Sequence, residues 1–476
     1  MEFSPFHAFS ICVFVLVSVA ITQRRRNYNW KDSKDGEYVY PKVLEGVTFI
    51  KVIQRMAAGQ MPQTFYKWAK NYNKFVYLVP VSFTRVAAVV GDPEILKKIL
   101  TDKSASKPTL YHRSRHIHDG GTNLFSENDE RWYHARKSII YSFSPSHVRR
   151  MKDVTVEKLN DFVKHMDSFQ GNSFDVGKEM IKLTLKIICD AAFEYDMSIE
   201  EQNEFLTELE IVLKENRRGS IPLRWKLGKL IPSVRRARLG SKRLAALGAR
   251  MLVAYRQIEN PTKGTVMDRI VNDKKYKSDK ERINDMLILL VAGHDTTAYS
   301  LAWTLKELAR HPAEQDKLRF ALLNVSEDDR YNLKELTNVI KEGLRLNPVA
   351  AAGGLRVCSK DIVIDKHSEG STPIVIPKGT AIFLSLMMCL HHPDYFHDPD
   401  SFSPSRWEVE GNQNDAYMPF LIGPRNCLGQ SLAYAEIRTV LARLIAEFEF
   451  SIEDEGSNEF FATYKPIGCR LIAKRV

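Results

Sequence analysis

The chain is 476 residues long, 44% hydrophobic and 27% charged, without a low-complexity tract or a repeat of fixed period, which excludes disordered, collagen-like and solenoid proteins. Lys and Arg number 69 against 58 Asp and Glu, a formal charge of +11 that favours anionic partners such as lipid headgroups, nucleic acid or an acidic protein. Nucleic acid is set aside for want of zinc-finger spacing or basic runs interleaved with aromatics, and six scattered cysteines without a Cys-x-x-Cys pair exclude a disulfide-stapled secreted domain.

Residues 3–22, FSPFHAFSICVFVLVSVAIT, form an apolar stretch of about the 20 residues a helix needs to cross a bilayer, and Arg24, Arg25 and Arg26 follow it. A cleaved signal peptide carries its positive charges before the apolar core; here they come after it, so 1–26 reads as a signal-anchor with the remaining chain cytosolic. The sequon Asn324-Val325-Ser326 is then expected to stay unglycosylated. Residues 27–46 read as a linker and 47–476 as one folded domain, since no shift in composition marks a second.

Apolar, β-branched runs at 75–79 and 85–90 predict a small sheet, and Gly91-Asp92-Pro93 then opens a helix. From Asp129 to about Ala446 helical spacing dominates, with segments predicted at 129–141, 148–166, 177–193, 199–215, 234–258, 281–310 and 333–346. A second β-rich patch is expected at 361–364 and 374–386. The fold class is therefore mainly α with small β-sheets. Between the helices, 221–232 joins apolar residues to Trp225 and several cations, which reads as a surface dipping into a membrane interface.

Asp295 and Thr296 stand in the middle of a long apolar helix, in LLVAGHDTT over 289–297. A buried carboxylate carries a desolvation penalty of several kcal/mol, and a purely structural account must supply a partner that the sequence does not show. Glu342 and Arg345 place opposite charges three residues apart on one helical face. Further on, FLIGPRNCLG over 420–429 sets Cys427 between Gly423 and Gly429. Glycine permits left-handed backbone and close approach of a flat ligand, so amide N–H groups can point at the sulfur. Arg425 adds a fixed positive charge, suited to a ligand carboxylate or to lowering the thiol pKa, and the helix expected from Gln430 favours negative charge at its start. A buried lone Cys is ordinarily only a small hydrophobe; the ten residues around this one point elsewhere.

Those ten residues resemble the haem-binding signature F-x-x-G-x-R-x-C-x-G of the cytochrome P-450 family at every defined position, including Phe420. Glu342-Gly343-Leu344-Arg345 is similar to the family's E-x-x-R, and Phe402 to Trp407 to its F-x-P-x-R-[FW]. The stretch ending at Thr297 resembles its central-helix motif, [AG]-G-x-[DE]-T-[TS]. Upstream, Trp132 and Arg136 resemble the W-x-x-x-R that meets a haem propionate, and Arg356 stands where the family often has another propionate-binding Arg.

The resemblance implies haem b held non-covalently between the long central helix and the Cys loop with the final helix. Cys427 would be its axial thiolate. Trp132, Arg136, Arg356 and Arg425 would neutralise the propionates, Phe420, Gly423 and Gly429 would shape the loop, and Glu342, Arg345 and Arg406 would form a buried network bracing it. Gly293 would let the central helix open locally, so that Asp295 and Thr296 relay protons to bound O2. Ala292 stands where some fatty-acid hydroxylases of the family carry a haem-esterifying Glu, hence the non-covalent haem. The implied activity is a monooxygenase, with electrons from NADPH through a membrane-bound reductase because no dinucleotide fingerprint is present. It implies a monomer in the endoplasmic reticulum membrane acting on a lipophilic substrate, with a fatty acid, sterol or terpenoid suggested by the membrane setting. Specificity would sit in 106–123, 207–229 and the stretch after Pro348, where Ala350 to Gly354 would leave room near the haem. Two alternatives share the fold: a hydroperoxide isomerase or dehydratase needing no reductase, which typically lacks the Thr of the oxygen motif, and a non-catalytic haem- or sterol-binding membrane protein.

Overall fold

The computed structural model describes residues 38–82, 85–109, 111, 120–128, 130–218, 228, 230–364 and 372–476. The anchor stretch 3–22 and most of the 221–232 surface lie outside them. Among the described residues no helix is long and apolar enough to cross a membrane.

In chain order the principal helices are α1 (Phe49–Ala57), α2 (Met61–Tyr72), α3 (Pro93–Thr101), α4 (Glu130–Ile139), α5 (Pro145–Asp167), α6 (Val176–Phe193), α7 (Ile199–Arg218), α8 (Pro232–Arg256), α9 (Val266–Asn272), α10 (Asp279–Arg310), α11 (Pro312–Leu323), α12 (Lys334–Leu346) and α13 (Gln430–Glu447). The strands are β1 (Val76–Pro80), β2 (Val86–Val90), β3 (Phe174–Asp175), β4 (Leu355–Val357), β5 (Ile362–Ile364), β6 (Ile374–Ile376), β7 (Ala381–Leu384), β8 (Phe448–Asp454), β9 (Ser457–Phe461), β10 (Thr463–Ile467) and β11 (Arg470–Arg475). The mainly helical class with small sheets is what the periodicity predicts, and the seven predicted helical segments all form within a few residues of the expected bounds.

The chain gathers into two compact units, one of residues 1–108 with 352–388 and one of 109–351 with 389–476. In the first, β1-β2-β7-β4 make a four-stranded sheet and β5 pairs with β6. Its core joins Phe65, Trp68, Tyr77, Val79 and Val89 to Met388. Asp92 caps α3 by accepting from the Glu94 and Ile95 amides, which is why the helix opens where Gly-Asp-Pro predicts it. Gly353 is imposed by packing: a Cβ there would lie 2.2 Å from the Leu384 carbonyl oxygen of β7.

The second unit is built around α10, which begins with Ser278 capping the Glu281 amide. It packs on α6, α8, α12 and α13. Gly293 does not open it, contrary to the expectation above. The helix is continuous through that point, and a Cβ on Gly293 would meet Ile188 Cδ1 at 2.7 Å, so this glycine serves close approach of α6. A similar contact explains Gly343 on α12, where a Cβ would meet Thr304 Oγ1 of α10 at 2.4 Å. Asn347, just beyond α12, donates to Glu307 Oε1 over 3.0 Å and satisfies a buried carboxylate. After α13 the chain forms a sheet ordered β3-β11-β8 and the hairpin β9-β10, strands that helical periodicity did not anticipate.

Candidate active site

The loop before α13 closes on itself. The Cys427 amide donates to the Phe420 carbonyl over 3.0 Å and the Asn426 amide to the Gly423 carbonyl over 3.2 Å. Gly423 takes the left-handed conformation this turn requires, with φ 76°, as does Leu421 with φ 58°. Among the described cysteines Cys427 alone is exposed; Cys189, Cys358, Cys389 and Cys469 are buried. It opens on one side only, because protein surrounds it densely enough that desolvation pushes its thiol above the ordinary range. The Gly429 N–H and the Arg136 charge act against that rise.

Three side chains brace the loop. Arg136 donates to the Asn426 carbonyl over 2.9 Å and to its side-chain oxygen, while burial presses this guanidinium below the usual arginine range. Arg425 donates to the Glu127 carbonyl over 2.8 Å and lies 3.8 Å above the ring of Trp132, a cation–π contact. Phe420 tilts against Tyr434 of α13, with centroids 5.0 Å apart. Each guanidinium keeps donors beyond those used here, since the fork offers five. Arg356 belongs to the other unit, buried on β4 with a bond to the Leu355 carbonyl.

Along α10 two faces differ sharply. Ala292 is exposed and Thr296 half-buried, one turn apart on the same stripe, whereas His294, Asp295, Thr297, Ala298 and Tyr299 are buried. The Thr296 hydroxyl donates to the Ala292 carbonyl over 2.8 Å. Asp295 turns toward the C-terminal hairpin, where Lys465 Nζ reaches its Oδ1 at 2.9 Å and the Thr463 hydroxyl donates to Oδ2. These are the partners that a buried carboxylate demands, and sequence reasoning missed them. The only signal for Lys465 was the unexplained acid itself.

Glu342 and Arg345 are both wholly buried on α12 and joined through two 2.9 Å bonds. Arg406 donates to Glu342 over 2.9 Å, as do the Ser403 amide at 2.9 Å and the Trp407 indole at 3.0 Å, two donors the motif did not predict. Arg345 also donates to the carbonyls of Leu390, Pro399 and Ser401, and Arg406 to those of His397, Asp398 and Ser401. The network thus grips 390–407, upstream of the Cys loop, rather than the loop itself.

A family model described as cytochrome P450 (written P-450 below) matches residues 41–466. The chain belongs to the cytochrome P-450 family. It is similar to cytochrome P-450 4e2 of Drosophila melanogaster, 26% identical over 427 residues that cover 82% of this chain and 79% of that protein. It also resembles the protein LUTEIN DEFICIENT 5, chloroplastic, of Arabidopsis thaliana, 28% identical over 464 residues covering 89% and 74%, and the cytokinin hydroxylase of the same plant, 24% identical over 437 residues covering 86% and 82%. Membership makes the chain a haem-thiolate monooxygenase that uses O2 and receives electrons from a redox partner.

The residues at Cys427 fit a P-450 haem. Gly429 has an ordinary φ of −87°, and a Cβ there would meet no protein atom nearer than Phe143 Cε1 at 3.9 Å, so the protein itself does not require glycine. The bare backbone leaves a cradle for a flat group beside the sulfur. Among the described residues no group of three His, Cys, Asp or Glu could hold a metal, so a lone thiolate suits an iron whose other ligands come from a macrocycle.

Proposed function

We propose that Cys427 is the axial thiolate of a non-covalent haem b, and that the protein hydroxylates a lipophilic substrate with electrons from an NADPH reductase. When bound, the haem supplies the iron that binds O2 and, through thiolate donation, promotes O–O cleavage. The overall change is RH + O2 + NADPH + H+ to ROH + H2O + NADP+. The chain's own part is to hold the sulfur beside the Gly429 N–H and the Arg136 charge, which favour its anionic form. Arg136, Arg425 and Trp132 offer further donors around the loop for two propionates, and Arg356 is proposed to join them. Asp295 and Thr296 are proposed to move protons on the open stripe of α10. The net positive charge suits a reductase with an acidic docking face, and the apolar 3–22 stretch suits anchoring in the endoplasmic reticulum membrane.

The observation that carries this reading is a one-side-open thiol, alone among the described cysteines, in a loop whose glycine the protein does not need. The Cys427→Ser variant is expected to lose the carbon-monoxide difference spectrum of a thiolate-bound haem and all NADPH-dependent oxygenation of a lipid extract. A variant that retained both would refute the assignment. The topology has its own check: Asn324 is exposed, so its sequon is accessible, and it stays unmodified in microsomes if the domain faces the cytosol.

A further inference from the structure

One face of α10 grips the C-terminal strands along several turns. Asp295 meets Lys465 and Thr463; Lys465 Nζ also lies 4.5 Å over the Tyr299 ring; Trp303 stacks on Tyr464 with centroids 4.8 Å apart and donates to its carbonyl over 3.0 Å. Lys306, buried, donates to the Glu455 carbonyl over 2.7 Å, and Arg310 pairs with the Glu455 carboxylate. Spacings of three and four residues put all five side chains on one stripe. The stripe with Ala292 and Thr296 is a different one, and it is the open one.

Asp295 therefore stands next in sequence to the residue at the open stripe, yet both its oxygens are committed on the other side. A carboxylate held so cannot serve Thr296 without leaving Lys465 and Thr463. Leaving them uncovers a buried ammonium and a buried hydroxyl, so the departure is costly and rare. We propose that Lys465 and Thr463 are positioning residues that clasp Asp295 away from the open stripe and so time proton delivery there. This rests on the function proposed above.

Timing matters because the same O2, two electrons and two protons have two fates. With substrate RH and cleavage of the O–O bond they yield ROH and water; with the O–O bond intact they leave as hydrogen peroxide. Protons that arrive without control favour the second outcome.

The test uses the holoenzyme with reductase, NADPH and a lipid extract, and measures oxygen consumed, peroxide released and the solvent deuterium isotope effect. Lys465→Met is expected to lose the isotope effect and raise the peroxide share, with Lys465→Arg restoring both; Thr463→Val shifts both in the same direction by less. Thermal melting supplies a readout independent of turnover. Lys465→Met is expected to melt below wild type, and the Asp295→Asn/Lys465→Met double variant above the Lys465→Met single, because the stranded charge is gone. Should Lys465→Met not retain haem, Thr463→Val carries the kinetic test. Wild-type peroxide share and isotope effect in the haem-loaded Lys465→Met and Thr463→Val variants would overturn the inference. Absence of NADPH-dependent oxygen consumption in wild type would instead overturn the proposed function.

Discussion

The Tyr276 phenol donates to Asp285 Oδ2 over 2.8 Å inside the second unit, where the same carboxylate accepts the Leu124 amide at 2.7 Å and faces Arg131 at 3.5 Å. This one acid ties α10 to the segment ahead of α4. Burial pushes its pKa up, and Arg131, Tyr276 and the Leu124 amide hold back that rise. Tyr276→Phe removes one donor and is expected to cost about 1–2 kcal/mol. Asp285→Ala strands the amide and the guanidinium together and is expected to cost more, in the order thermal melting would show.

Glu436 on α13 is buried with its Oε1 unpartnered, and burial alone raises its pKa to about 8. The folded state thus holds a proton that the unfolded chain has released between the ordinary glutamate range and about 8. Stability falls as pH rises through that window, by about 1.4 kcal/mol per pH unit. Glu436→Gln is expected to flatten the dependence and to raise stability at the alkaline end, as denaturant titrations across the window would measure.

Arg345 uses every N–H it has: one on Nε and two on each terminal nitrogen, shared among Glu342, Leu390, Pro399 and Ser401. Lysine offers three donors on a flexible stem, so Arg345→Lys leaves buried acceptors unmet. We expect a loss of about 3–5 kcal/mol and weakened haem retention, read by melting and by the haem content of purified protein.

Gly343 and Thr304 meet where α12 touches α10. Gly343→Ala drives a methyl group into the threonine side chain and is expected to cost about 1–3 kcal/mol, despite alanine's better helix propensity. Adding Thr304→Ala opens the space again. A double-mutant cycle by melting should return a favourable coupling between the two substitutions, which a purely local helix effect would not produce.

Much of the molecule was legible in its residues. The helices from α4 to α13 follow from apolar spacing, since each helical bond joins residues four apart and the pattern is local. The Glu342, Arg345, Arg406 and Cys427 positions were marked by spacing as well, although Trp407 and the Ser403 amide were not. The C-terminal strands were missed because β8 to β11 are short and pair with segments distant in sequence, β3 among them.

What the sequence alone determined was which residue types recur at which intervals: helix positions, a thiol between two glycines, and an acid where an acid is costly. Only the tertiary structure decided who answers them. Lys465 for Asp295, Asn347 for Glu307 and Thr304 against Gly343 are contacts between segments brought together by packing. A buried charge dictates that it must have a partner; the arrangement of the packed chain selects which one.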